Sequence, residues 1–138
     1  MQSPILAPIV ALVAWSLVMQ AWLYATRIPA MRAARVPLDP NRAPGELTAT
    51  LPPQVRWKAD NYNHLMEQPT IFYAAVFVLA LSGYGRLDTL LAWIYVVLRI
   101  AHSLWQAAIN RQPVRALLFL ASSVVLGILA VRALLVTL

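Results

Sequence analysis

The chain has 138 residues, of which 61% are hydrophobic and only 12% charged, whereas an ordinary soluble domain carries roughly 25% charged residues. A soluble domain this small would expose most of that apolar surface to water, so composition excludes the soluble class and names the bilayer as the solvent. The net charge of +6 is split among polar segments between apolar runs, a pattern that sets membrane topology and attracts anionic headgroups rather than nucleic acid.

The first span is expected at about 4–26. Its 21 residues from Pro4 to Tyr24 hold no charge and would cover roughly 30 Å as a helix. No Lys or Arg precedes it, so it reads as a retained span rather than a cleaved signal. Pro4 and Pro8 fall in its first turns, where a missing amide donor costs least. From Arg27 to about Leu51 apolar periodicity is lost among Pro29, Pro37, Pro40, Pro44 and Gly45, which predicts a loop with a helical turn near Met31–Arg35.

Pro52-Pro53 then opens a second helix, expected over 53–81, with polar first turns in water and a membranous part from about Leu65. Pro69 removes one backbone bond and predicts a kink. A short turn at Ser82–Arg86 leads to a third helix, 89–109, with Asp88 as its cap. Asn110–Pro113 turns the chain into a fourth, 114–137. The expected fold is all-α: one four-helix antiparallel transmembrane bundle occupying 1–138, with short turns making neighbours of helices two, three and four.

Arg27, Arg32, Arg35, Arg42, Arg56, Lys58, Arg111 and Arg115 share one side, against Arg86 and Arg132 on the other. Eight against two places the long loop in the cytoplasm and both termini outside. There is no cysteine, so disulfides and a Cys nucleophile are excluded, only His64 and His102 could supply imidazole to a metal, and no metal site is expected. Any thiol chemistry must use a thiol brought by a ligand.

Charged groups within a span cost about 2.5–3.5 kcal/mol each on insertion scales, so their placement is informative. At about 100° per residue, Arg56, Asp60, Asn63 and Glu67 fall within an arc of roughly 60°, flanked by His64. On helix three, Arg99, Ser103, Gln106 and Asn110 form a second stripe with His102 at its edge. Glu67 lies roughly 21 Å and Arg99 roughly 16 Å from the outer side, which predicts a Glu67–Arg99 ion pair within or between subunits. With Arg115 at its mouth, the stripes predict a cleft that opens on the inner leaflet. The same residues also admit blander readings: an ion pair that only fastens helices, histidines that only pack, Trp57, Trp93 and Trp105 as interface belts, and Arg111 and Arg115 as inside-positive anchors.

Two motifs resemble the MAPEG family, the membrane-associated proteins of eicosanoid and glutathione metabolism. Asn61-Tyr62-Asn63-His64-Leu65-Met66-Glu67-Gln68-Pro69-Thr70-Ile71-Phe72-Tyr73 looks like its second-helix signature. Arg99-Ile100-Ala101-His102-Ser103 with Pro113-Val114-Arg115 is similar to the third helix and following turn of prostaglandin E synthase-type members. Together they cover the 60 residues from Arg56 to Arg115.

The resemblance implies a homotrimer with glutathione bound between subunits, and a lipophilic second substrate. It implies that Glu67 and Arg99 hold the charged ends of the tripeptide and that Arg115 stabilises its thiolate, since a cation beside a thiol favours ionisation. Asn63, His64, His102, Ser103, Gln106 and Arg56 would complete the site, with Arg27 or Arg32 covering it from the first helix. The chain departs from the family at His64, where the signature has Asn, and at Gln106, where it has Tyr. As a bacterial-type member it is expected in the inner membrane, among lipids, conjugating, isomerising or reducing lipophilic electrophiles or lipid peroxides. The alternatives are a non-catalytic lipid-binding scaffold of the same fold and a small transporter using Glu67 as a proton-coupled carboxylate.

Overall fold

A computed structural model describes residues 3–43 and 45–138; Met1, Gln2 and Pro44 of the long loop lie outside it. A single 3-10 turn, Pro4–Leu6, leads into α1 (Ala7–Ala33), followed by α2 (Pro53–Ser82), α3 (Arg86–Ala108) and α4 (Gln112–Thr137). All four are long and apolar enough to cross a membrane; the shortest, at 23 residues, would extend about 35 Å.

Helix α1 continues past the expected end at 26, through Pro29 to Ala33. The turn expected at Met31–Arg35 is its last turn, and the chain leaves it at Arg35 with φ 48°. Proline does not stop the helix here although it removes the bond to the residue four back and crowds that carbonyl, a local cost that transmembrane helices tolerate. Helix α2 likewise passes uninterrupted through the buried Pro69. It ends where Gly83 adopts φ 124°, a conformation open to glycine and strained for any residue with a Cβ.

Helix α3 starts earlier than expected, at Arg86. Asp88 does cap it, but from the third helical position, where its carboxylate accepts the Gly85 amide at 2.8 Å. That carboxylate is buried and also receives the Arg132 guanidinium of α4, which ties α3 to α4 at the end away from the long loop.

Helices α2 and α3 each pack on every other helix, while α1 and α4 do not touch among the described residues. Burial follows: the apolar window of α3 is 39% buried, that of α4 only 17%. Leu12, Leu65, Phe72, Val76, Tyr95 and Leu129 form the middle of the core, with the Phe72 and Tyr95 rings stacked at 4.3 Å. Val10, Leu17, Phe77, Val97, Leu120 and Leu134 point outward on the same helices. In water that surface would drive aggregation; in hydrocarbon it costs nothing.

Polar groups inside the bundle pair across helices. Gln68 Nε2 donates to Ser123 Oγ at 2.8 Å, and Tyr95 OH donates to Gln68 Oε1 at 3.2 Å, joining α2, α3 and α4. Gln68→Leu removes both bonds, together with the one Ser122 Oγ donates to Gln68 Oε1 at 3.4 Å, and leaves the Tyr95 hydroxyl without this acceptor. At about 0.6 kcal/mol per interhelical bond in lipid, plus the orphaned hydroxyl, the expected loss is about 1–2 kcal/mol. Thermal unfolding in detergent reads it, and an unchanged midpoint would show that the network is dispensable.

Candidate functional site

The polar residues of α2 and α3 meet in the half of the bundle nearest the long loop. Two adjoining hollows open there. One, of about 280 Å³, is lined by Asp60, Asn63, His64, Glu67, Gln106 and Arg115. The other, of about 250 Å³, is lined by His64, His102, Gln112, Arg115, Ala116 and Phe119. The helical period puts the α2 residues one or two turns apart on a single face, and the tight α3–α4 turn brings Arg115 against them.

That turn is built to hold Arg115. Trp105 Nε1 donates to the Arg111 carbonyl at 3.2 Å, and Asn110 takes φ 55°, a left-handed conformation that Asn tolerates better than most residues. The Asn110 side-chain oxygen then accepts a bond from Arg115 Nη1 at 2.7 Å, and Gln112 Oε1 accepts one from Nη2 at 3.3 Å. The guanidinium is thus oriented by neutral acceptors.

Arg99 lies behind the hollows at 1% exposure. Its Nη2 donates to the His64 carbonyl at 2.9 Å, and its guanidinium carbon sits 5.8 Å from the centre of the Phe119 ring. Nε and Nη1 are buried without a hydrogen-bond partner among the described residues. The Glu67–Arg99 ion pair expected from depth does not form within the subunit. Glu67 instead lies 3.3 Å from Nδ1 of His64, with 67% of its side chain exposed. Depth along two helices does not fix rotation, and α2 turns Glu67 outward while Arg99 faces the core.

The remaining expected residues divide. Asn63, His64, Glu67, Gln106 and Arg115 converge on the first hollow, and His102 on the second. The Gln106 Oε1 atom is buried without a partner among the described residues. Ser103 is turned away from both hollows toward α1, where Trp15 Nε1 donates to its hydroxyl at 3.0 Å. Arg56 lines a separate cavity of about 370 Å³ beneath the long loop, with Arg27, Trp57, Asp60 and Asn110. Of the two first-helix arginines, Arg27 is the one that faces a cavity shared with α2 and the α3–α4 turn, while Arg32 is exposed.

Sequence reasoning missed Phe119, whose ring stands 6.1 Å from that of His102 and beside Arg99. It also missed Asn61, buried with both amide atoms unpartnered. Phe119 gave no signal, being one apolar residue in an apolar span. Asn61 lies outside the polar stripe of α2, so the wheel passed it over.

Four spanning helices enclosing a polar cleft at one end make this an integral membrane protein with a site among its helices. The family model described as MAPEG family matches residues 5–135, so the chain belongs to the MAPEG family, and the likeness reaches well beyond the two motifs that first suggested it. Neither the curated proteins nor the solved structures contain a match to the chain.

Proposed function

We propose that this protein is a glutathione-dependent membrane enzyme that transfers the tripeptide's sulfur to lipophilic electrophiles or uses it to reduce lipid peroxides. The observation that carries the reading is Arg99. A buried guanidinium with two unpartnered nitrogens is costly in a low-dielectric interior unless an anion reaches it, and planar N–H donors suit a carboxylate. Membership of the MAPEG family makes glutathione the anion of choice.

The cleft offers complementary groups for the rest of the tripeptide. Glu67 and Asp60 suit its ammonium, the buried Gln106 oxygen suits a peptide N–H, and Arg115 supplies the fixed positive charge beside which a thiolate is favoured. The outward apolar faces and the hydrocarbon around them deliver only lipophilic partners. We place the protein in a bacterial inner membrane as a homotrimer, with the long loop in the cytoplasm, because the cations crowd that end and α4 leaves most of its span uncovered.

Reduced glutathione titrated into the detergent-purified protein is expected to bind saturably and to produce thiolate ultraviolet absorbance. No binding at millimolar concentration would sink the proposal. Co-purified lipid in the cleft, with no thiol-dependent turnover, would replace it by the scaffold reading.

A further inference from the structure

A thiol that ionises beside Arg115 must give up a proton, and among the bases of the cleft His64 is the one that lines both hollows. His64 and Arg115 are the two side chains that line both hollows. A molecule lying across the two hollows therefore passes between an imidazole and a guanidinium.

Three contacts fix that imidazole. Its Nδ1 lies 3.3 Å from the Glu67 carboxylate, which favours the proton on Nδ1 and leaves the Nε2 lone pair free. The His102 ring stands edge-on to it, 6.1 Å away at 80°. Arg99 holds the His64 carbonyl. The charged and titratable groups around it are Glu67 and Asp60 of α2, Arg99 and His102 of α3, and Arg115 of α4.

We infer that His64, backed by Glu67, is the base that takes the thiol proton of glutathione bound across the two hollows. This rests on the glutathione reading above and adds a residue to it at a position where the family signature has Asn. The S–H bond breaks, its proton passes to His64 Nε2, and the electron pair stays on sulfur beside Arg115. The sulfur then forms a bond to the electrophilic carbon, the leaving group departs with the bonding pair, and the imidazolium proton goes to that group or to water. The alternative is a surface pair one turn apart, which would stabilise α2 only slightly and leave the chemistry untouched.

The test uses the full chain in detergent with reduced glutathione and a chlorodinitrobenzene as electrophile. His64→Gln is expected to change glutathione binding less than about threefold while lowering thiolate formation and kcat about 100-fold. Imidazole added to His64→Ala should restore at least part of the lost kcat, which a packing role would not allow. With the unaltered chain in weak buffer, thiolate should form with well under one proton per site released. Thiolate and kcat at wild-type levels in His64→Gln, or a full proton released per thiolate by the unaltered chain, overturns the inference and leaves the glutathione reading intact. Failure of the unaltered chain to bind glutathione removes both.

Discussion

Arg115→Ala is expected to lower kcat with glutathione and a lipophilic electrophile by about 100- to 1,000-fold, the usual effect of removing one preorganised donor from a developing anion. Binding should weaken far less, because Arg99, Glu67 and Gln106 remain. Among the described residues the guanidinium bonds only to Asn110 and Gln112 at the α3–α4 turn, and these acceptors can turn to water when it is gone. The melting midpoint should therefore move little. Steady-state kinetics and thermal unfolding on the same preparation check this. A variant with full kcat would make Arg115 a topological anchor, the reading that its place among the inside-positive cations also allows.

Arg99→Met is the second large effect, and it divides differently between binding and stability. We expect glutathione affinity to fall by about 100-fold or more, in line with the cost of removing one partner from a desolvated charge pair. Stability should hold within about 1–2 kcal/mol. The guanidinium's desolvation cost is removed, while the only bond lost is the one to the His64 carbonyl, and replacing a buried ion by an apolar side chain of similar volume is often neutral. If Arg99 instead only fastened α2 to α3, the variant would unfold easily and bind normally once folded. Calorimetric titration and thermal unfolding together separate the two.

Much of the architecture was legible before any coordinates. The spans were plain because each of the four helices needs a long, mostly apolar run, and prolines and glycines punctuate the gaps. Boundaries were less plain where proline was read as a stop. Pro29 does not end α1, since a helix already anchored in the membrane tolerates one missing bond. The two polar stripes were also legible, because a 3.6-residue period assigns Asp60, Asn63 and Glu67 to one face and Arg99, Gln106 and Asn110 to another, whatever the helices do.

What period and spacing could not supply was the partner of each group. Glu67 was matched to Arg99 by depth, yet it meets His64 on its own helix. Asp88 was read as a helix cap and Arg132 as an outer-side cation, yet they form the clasp between α3 and α4. Ser103 belonged to the α3 stripe and faces Trp15 of α1.

The sequence by itself thus determined the class of protein, the number of spans and the side chains that cannot face lipid, because these follow from the cost of charge in hydrocarbon and from helix geometry within one segment. The tertiary structure alone decided that α2 and α3 lie at the centre, that Arg99 turns inward while Glu67 turns outward, and that His64 and Arg115 share both hollows. Those outcomes depend on rotation and axial offset between helices, which are set by how Phe72, Tyr95 and their neighbours interlock. A one-turn slip of about 5.4 Å between helices changes every polar partner while leaving every stripe as it was.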